Sequence, residues 1–357
     1  MYQFFLDRFR RLVAFTSVNY YVRVKTDKSG VIASKDAEVY LWLPRFGWRY
    51  YISDKVIKDY GKINALSKTG IKFKIIRSQN IGKLSNKIIH LNYCAMYNWN
   101  YKFNDYTQQL HFIVQQLEKQ NNSVFPSSKE IYYWENKGYM HKKFKEYNIS
   151  EPETTLCKTI SEVKNLSWDY PFLVKEEHSS ASEGVHKVTS VSDLNMHEQK
   201  STFKPNEYII VQKLIDMRKD LRVILVGNEI VHYYWRINNQ NEWKPTSTGR
   251  GSSVDFEFFP EQWRSFIISE FKKLNIPTGA FDVTWNKDNL NSTPLILEVS
   301  PTYQLNPKIT NKKHLAHYGK FKKSSFFGKY SYINQYIEQT YDVLEKCIQH
   351  NHLEYKD

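Results

Sequence analysis

Two stretches carry the strongest structural signal in the sequence: Gly279-Ala-Phe-Asp282-Val-Thr-Trp285 and Leu295-Ile-Leu-Glu298-Val-Ser300-Pro301. Each has the apolar pattern of a buried strand and carries one acidic residue, which is costly to bury without a compensating cation. A polar turn at residues 288–292 predicts that the two strands are antiparallel neighbours. We therefore expect Asp282 and Glu298 to converge on one cation, with Ser300 on the same side. Oxygen ligands that share a cation with phosphates favour magnesium.

A second predicted strand pair carries two arginines. It runs from Asp220-Leu-Arg222 to a turn at Gly227 and back to Arg236. Asp220 and Arg222 alternate onto one face, so both guanidiniums are expected to face the same side of the sheet. The planar fork of arginine suits phosphate or carboxylate recognition. The alternative is structural: the arginines pair with Asp220, or with the two acidic residues of the first strand pair.

Two lysines complete the set of candidate residues. Lys137 lies within a predicted helix over residues 129–147, and Lys175 ends the predicted strand Phe172–Lys175. The serine- and glycine-containing loop from Ser179 to Gly184 follows, and this strand and the next, from Val185, are predicted to form a hairpin. A lysine beside a small-residue loop can hold phosphates by charge and by backbone N–H groups. Most lysines are merely solvated, so this signal alone is weak.

The predicted elements indicate an α/β (α+β) protein with several subdomains. Residues 1–38 form an N-terminal extension, and residues 39–125 alternate strand and helix as in a small open α/β domain. Strands are predicted at residues 39–43, 49–52, 71–76 and 88–91, and helices at residues 56–67 and 106–119. Residues 126–204 and 205–357 are predicted as two α+β subdomains, the second ending in a helix over residues 333–348. A chain of 357 residues exceeds the usual size of a single core, which favours such a division.

Composition narrows the class of protein. The 51 lysines and arginines exceed the 37 acidic residues and give a net charge of +14, which predicts affinity for anions. No nucleic-acid-binding motif accompanies this charge, so we expect no nucleic-acid partner. Three widely spaced cysteines predict a reducing, cytoplasmic environment. No apolar run reaches membrane-spanning length; residues 1–15 are predicted as an amphipathic helix that docks on the fold or, alternatively, associates weakly with an anionic membrane surface.

Taken in order, these segments resemble the ATP-grasp superfamily, especially its RimK-like and glutathione-synthetase-like ligases. The resemblance runs from about residue 60 to residue 308 and includes the link Asn148-Ile-Ser-Glu-Pro152 and the segment Val211-Gln-Lys-Leu-Ile215. It implies the ATP-grasp fold, with an N-terminal open α/β domain and two subdomains that clasp ATP. The order and spacing of these motifs together make the resemblance specific.

The resemblance also implies roles for individual residues. It implies a nucleotide site formed by Lys137, Lys175, Ser180, Gly184, Gln212, Lys213, Leu214 and Asp220, with Gln212 to Leu214 as the hinge that reads adenine. It implies magnesium ligands at Asp282, Glu298 and Ser300, and an acyl-phosphate site at Arg222 and Arg236. One departure is Ser300, which stands where the family usually has asparagine and is a shorter oxygen ligand.

The implied cofactors are ATP and Mg²⁺, and the implied reaction joins a small carboxylate to an amine through an acyl phosphate. A peptide, an amino acid or a sugar acid of a surface polysaccharide would serve as the carboxylate, and the sequence leaves these open, as it does the oligomeric state. Two alternatives remain at this point. One is an ATP-grasp-type kinase acting on a sugar or inositol hydroxyl, and the other is a basic protein that binds without catalysis.

Overall fold

The structure is a computed structural model that describes residues 37, 39–42, 63, 71–76, 81, 83–91, 106–179, 182–240, 242–248, 251–256, 258–301 and 303. The chain divides into two compact units, one formed by residues 1–128 with 304–357 and the other by residues 129–303. The predicted helix at residues 1–15, the strand at 49–52 and the closing helix at 333–348 lie outside the described residues, as does all but Ile63 of the helix at 56–67.

The described part of the first unit contains a parallel sheet. Its strands are β1 (Val39–Trp42), β2 (Phe73–Ile76), β3 (Ile88–Leu91) and β4 (Ser123–Phe125), in the order β2-β1-β3-β4. Helix α1 (Tyr106–Glu118) precedes β4 and buries Leu110, Val114 and Leu117. The sequence correctly predicted β1, β2, β3 and α1 but not β4, and the parallel order agrees with an open α/β unit.

The second unit begins with a broken helix where the sequence predicted one continuous helix over residues 129–147. Helix α2 (Ser128–Ile131) starts at the boundary of the two units, and α3 (Lys137–Glu146) follows after a turn. Glu135 takes a positive φ of 51°, and the Asn136 side chain caps α3 by accepting a hydrogen bond from the Tyr139 amide at 3.1 Å. The single-helix prediction is therefore wrong, and Lys137 is the first residue of a helix rather than an interior one.

An antiparallel sheet follows, with strands β5 (Thr154–Cys157), β6 (Phe172–Glu176), β7 (Val185–Val188) and β8 (Ile209–Lys213) in the order β5-β8-β6-β7. The predicted hairpin is confirmed, because β6 pairs with β7. Helices α4 (Ile160–Lys164) and α5 (Val191–Gln199) contact each other and the sheet over a core that includes Val174, Leu194 and Val211. The sequence reading missed β5, α4 and α5.

The other sheet of this unit carries the acidic and basic strands. Its strands are β9 (Lys219–Val226), β10 (Glu229–Ile237), β11 (Ser253–Asp255), β12 (Thr278–Thr284) and β13 (Leu295–Ser300), in the order β11-β10-β9-β12-β13. One face packs on α3 and on α6 (Arg264–Lys273), with Phe271, Phe281, Trp235 and Trp285 in the core. The antiparallel pairing predicted for β12 with β13 and for β9 with β10 is confirmed.

A bulge interrupts the pairing of β12 with β13. Asp282 lies opposite Glu298, but the next residue, Val283, lies opposite Ile296, so Leu297 is an extra residue in β13. The bulge lets Ile296 face the core although it is two residues before Glu298, which faces the other side with Asp282. Strand β13 thus contributes Ile296 and Val299 to the apolar core and Glu298 to the acidic pair.

Among the described residues, no helix has both the length and the apolar character needed to cross a membrane.

Candidate active site

A row of polar side chains crosses the second antiparallel sheet. Tyr234 of β10 lies opposite Arg222 of β9, Arg222 lies opposite Asp282 of β12, and Asp282 lies opposite Glu298 of β13. Directly opposed residues share a face of the sheet, so these four side chains project from the face away from the aromatic core. Arg236 and Asp220 form the adjacent row on the same face.

The two arginines and two aspartates form a closed ion-pair network. Arg222 binds Asp282 with both ends of its fork, at 2.7 Å from Nε to Oδ1 and 2.8 Å from Nη2 to Oδ2. Arg236 donates to Asp220 through Nε at 3.0 Å and through Nη2, and its Nη2 also lies 2.7 Å from Oδ2 of Asp282. The ion pairing that the sequence left open as a structural alternative is therefore observed: both arginines bind aspartates.

Pairing does not consume all the donors. A guanidinium carries five N–H groups, and within the described residues the Nη1 atoms of Arg222 and Arg236 have no hydrogen-bond partner. Burial lowers the pKa of Arg236, but Asp220 and Asp282 outweigh it and raise that pKa well above its ordinary value. The network therefore holds two permanently charged forks, each with an Nη1 group that none of the described residues binds.

The two aspartates respond differently to burial. Burial raises the pKa of Asp220 above its ordinary value, and the Arg236 guanidinium offsets this only in part. Burial also acts to raise the pKa of Asp282, but the guanidiniums of Arg222 and Arg236 outweigh it and hold that pKa below its ordinary value. Of the two aspartates, Asp282 therefore has the lower pKa and stays ionised to a lower pH.

The fit of these residues to magnesium follows from their oxygen atoms. In the described part of the chain, Glu298 makes no hydrogen bond or ion pair, and Oδ1 of Asp282 accepts one hydrogen bond, which leaves it an open lone pair. No group of three or more His, Cys, Asp or Glu side chains among the described residues forms a metal cage. Two hard carboxylates without a cage fit magnesium, which is usually bound by one or two carboxylates together with phosphates and water.

Both candidate lysines lie within electrostatic reach of this acidic row, and Lys137 is buried while Lys175 is half-buried. The Lys137 Nζ donates to the backbone oxygen of Ser179 and, at 3.0 Å, to its Oγ. The Lys175 Nζ donates to Gln212 Oε1 at 2.6 Å. Burial lowers the pKa of Lys137, with Glu298 as the largest opposing influence. Burial and then the Lys137 charge lower the pKa of Lys175 to about 8, against the opposing charges of Glu298, Glu151 and Asp282.

The two glutamates that follow Lys175 are turned away from it. Glu177 accepts a hydrogen bond from the Tyr208 amide at 2.6 Å, and its carboxylate lies so close to Gly138 that a Cβ there would approach Oε1 to 2.0 Å. Glu176 lies 3.5 Å from His186 Nε2 and packs against Gly184, which has a positive φ of 66°. Each acid is thus held by partners of its own, and both act with Glu298 and Glu135 against the lowering of the Lys137 pKa by burial.

The remaining predicted residues lie at the end of β8 or in the loop before β7. Gln212 is buried, and its amide also donates to Thr154 Oγ1 at 2.9 Å, so its side chain holds Lys175. The Lys213 backbone N–H donates to the Glu153 backbone carbonyl oxygen at 2.9 Å, and the Lys213 side chain is exposed. Leu214 follows β8, and Gly184 directly precedes β7. Ser180 lies outside the described residues.

The structure therefore gathers most of the predicted site. It brings Lys137, Lys175 and Gln212 together with the row of Arg222, Asp282 and Glu298. The sequence placed Ser179 in the candidate phosphate loop but not as the partner of Lys137, and it did not single out Thr154, whose hydroxyl accepts from Gln212. No sequence signal pointed to Thr154, because β5 was not predicted.

Comparisons with known proteins identify the fold. No protein-family model and no curated protein matches the sequence. Among solved structures, an ATP-grasp RimK domain protein from Sphaerobacter thermophilus DSM 20745 superposes with a TM-score of 0.51 at 13% identity, covering 74% of this chain and 90% of that one. The ATP-grasp ligase PsnB, complexed with a minimal precursor, Mg and ADP, gives a TM-score of 0.51 at 12% identity, covering 76% and 91%.

A third structure is the D-alanine–D-alanine ligase from Bacillus anthracis complexed with ATP, with a TM-score of 0.51 at 12% identity, covering 75% of this chain and 87% of the ligase. These identities are low, and the likeness is one of fold. It agrees with the α+β architecture and with the resemblance noted in the sequence.

Proposed function

We propose that this chain, which has the ATP-grasp fold, is an ATP- and magnesium-dependent ligase that joins a carboxylate to an amine through an acyl phosphate. The observation that carries the proposal is that two carboxylates and two arginine forks share one face of a sheet, and that Lys137 of α3 and Lys175 of β6 lie close enough for the Glu298 charge to act on both. The solved structures of the same fold, which include ligases crystallised with ATP or with Mg and ADP, support the nucleotide and the metal.

Each group has a separate task in this reaction. Lys137 and Lys175 bind the phosphates, and their charge offsets that of the transferring group. The Nη1 arms of Arg222 and Arg236 hold the substrate carboxylate in line with the γ-phosphate and then stabilise the oxyanion formed when the amine attacks. No side-chain nucleophile is needed: the carboxylate oxygen attacks the γ-phosphorus and ADP leaves, after which the amine nitrogen attacks the acyl carbon, phosphate leaves and the nitrogen loses a proton.

Glu298 and Asp282 would hold the magnesium ion, with Ser300 close by on the same strand. When bound, the ion would neutralise phosphate charge during the transfer. The carboxylate substrate is a peptide, an amino acid or a sugar acid. PsnB was crystallised with a precursor peptide, which supports testing peptides first.

The decisive test of reaction class is trapping of the acyl phosphate. With Mg-ATP and a panel of carboxylates but no amine, we expect added hydroxylamine to yield a hydroxamate and ADP in equal amounts. The chemical reason is that an activated acyl group reacts with hydroxylamine and a phosphorylated hydroxyl does not. Phosphorylated alcohol without hydroxamate would replace the ligase with the kinase alternative. Absence of any calorimetric heat with Mg-ATP would remove the nucleotide proposal itself.

The affinity for Mg-ATP is expected to fall as the pH rises above about 8. Lys175 binds phosphate as an ammonium, and burial and Lys137 place its pKa at about 8 in the nucleotide-free protein. Binding above that pH requires uptake of a proton, so the affinity falls by up to about tenfold per pH unit. Calorimetry from pH 6.5 to 9.5 in two buffers of different ionisation enthalpy measures both effects. Lys175→Arg, which stays charged, should flatten the dependence; a flat profile in the unaltered protein contradicts the prediction.

A further inference from the structure

His141 and Glu151 form a buried pair close to the two lysines. His141 lies in α3 and is 3% exposed, and its Nδ1 is 2.5 Å from Glu151 Oε2. Burial lowers the pKa of His141, and the Lys175 and Lys137 charges act in the same direction against the opposing effect of Glu151. A neutral ring that donates Nδ1–H to the carboxylate leaves Nε2 as an acceptor, and this buried Nε2 has no hydrogen-bond partner in the described part of the chain.

The pair connects the elements that carry the lysines. His141 lies one helical turn after Lys137 on α3, so the two share a face of the helix. Glu151 opens a short segment that ends at Thr154, whose hydroxyl accepts from Gln212. Gln212 in turn accepts from Lys175. The His141–Glu151 contact therefore ties the helix with Lys137 to the segment that holds Lys175 through Gln212.

The charge of Glu151 gives the His141–Glu151 pair a second effect, which is on the protonation of Lys175. Four charged groups act on Lys175: Lys137 on α3, Glu298 on β13, Glu151 on the link before β5, and Asp282 on β12. In the proposed reaction Glu298 is taken up by magnesium, and Asp282 already accepts from both arginines. Glu151 is then the carboxylate among these three that is left to act on Lys175 while the nucleotide is bound.

We propose that the His141–Glu151 pair is a positioning device for the nucleotide lysines, which fixes the segment 151–154 against α3 and keeps a negative charge beside Lys175. This inference rests on the proposed function, because it assigns the pair to the same nucleotide site. His141 and Glu151 act through Lys175, so they are positioning residues. The neutral state of His141 matters, since a protonated ring would place a third cation beside the two lysines.

The test is the pH dependence of Mg-ATP binding in Glu151→Gln, measured by calorimetry. Glutamine keeps the shape of the side chain and removes its charge, so Lys175 loses its proton at a lower pH. We expect the dissociation constant to stay within about threefold of the unaltered protein at pH 6.5 and to be roughly tenfold higher at pH 9, since one unit of pKa changes the protonated fraction tenfold.

Glu270→Gln is the matched control. Glu270 is also buried and accepts a hydrogen bond at 2.8 Å from the amide of Ser150, the residue before Glu151, but it pairs with Lys273 rather than with the nucleotide lysines. If Glu151→Gln acted only by disturbing the structure of residues 148–152, the affinity for Mg-ATP should change equally at pH 6.5 and pH 9, as in Glu270→Gln. That outcome for Glu151→Gln would overturn the inference.

A second variant keeps the test valid if Glu151→Gln does not fold. His141→Phe preserves an aromatic ring against Phe144 but releases Glu151 from α3. We expect its loss of affinity at pH 9 to exceed its loss at pH 6.5 by at least about threefold, a shift of roughly half a pKa unit. Equal losses at the two pH values count against the inference.

A nucleotide-independent readout separates this inference from the proposed function. The ¹³Cε NMR signal of Lys175, assigned by its loss in Lys175→Arg, reports the lysine charge directly, and Glu151→Gln should move its titration to lower pH. If the unaltered protein does not bind Mg-ATP, the proposed function fails while the titration still tests the electrostatic pairing. If Mg-ATP binds normally and the titration does not move, the inference alone fails.

Discussion

Turnover is expected to fall by roughly a thousandfold or more in Glu298→Gln, because several kcal/mol of transition-state stabilisation depends on the metal charge and each 1.36 kcal/mol is a factor of ten. Glutamine keeps the shape of the side chain but is a poor magnesium ligand. Glu298 makes no ion pair among the described residues, so its neutralisation should leave the fold intact, although the loss of its charge should lower the pKa of Lys137 and Lys175 further. The measurement is ADP release as a function of magnesium concentration, alongside thermal unfolding.

Glu261→Gln is the matched control for this variant. Glu261 is exposed and pairs with Arg264 on the surface, so the same chemical change should leave turnover unaltered. A Glu298→Gln protein that turns over normally would show that Glu298 does not hold the metal. A variant whose activity recovers fully at high magnesium would instead show that the carboxylate contributes affinity only.

The second large effect is expected in Arg236→Lys. Lysine keeps the positive charge next to Asp220, which is 1% exposed and would otherwise be left as an uncompensated buried charge at a cost of about 3–5 kcal/mol. It loses the free Nη1 arm that would face the developing oxyanion. We expect the rate of amide or hydroxamate formation to fall by about a hundredfold to a thousandfold, the scale for one lost oxyanion donor, while the dissociation constant for Mg-ATP changes only a few-fold.

Arg264→Lys serves as the control for the same substitution. Arg264 also binds a carboxylate with both arms, at 2.7 and 2.9 Å to Glu261, but on the surface. It should leave both the rate and ATP affinity unchanged. If Arg236→Lys lowers amide formation, ATP affinity and melting temperature together, Arg236 is a structural arginine of the ion-pair network and has no separate role in acyl transfer.

The charged residues that lie within apolar strands were the part of the site that the sequence predicted. Asp282 and Glu298 stand out because an acid inside an apolar strand demands a partner, and the antiparallel pairing that aligns them follows from the intervening turn. The position of Lys137 could not be read in the same way. The break before α3 depends on the positive φ of Glu135 and the cap at Asn136, and helical periodicity does not reveal either feature.

The pairing of charges was less predictable than their presence. The sequence left two partners open for the arginines, and the structure pairs Arg222 with Asp282 and Arg236 with both aspartates. That choice depends on the register of β9 against β10 and β12, which the turn lengths alone do not fix. His141 and Glu151 gave no signal, because their contact depends on how α3 packs beside the segment that leads into β5.

The extra residue Leu297 shifts the phase of the pleat within β13. Before it, the side chain of Ile296 seals the apolar layer beneath the sheet; after it, Glu298 points to the opposite side and Val299 returns to the apolar layer. Strict alternation would place Ile296 and Glu298 on the same side. A related strand without this insertion would have to give up either its aliphatic seal or its acidic group, so an insertion or deletion at this point is far harder to tolerate than a substitution.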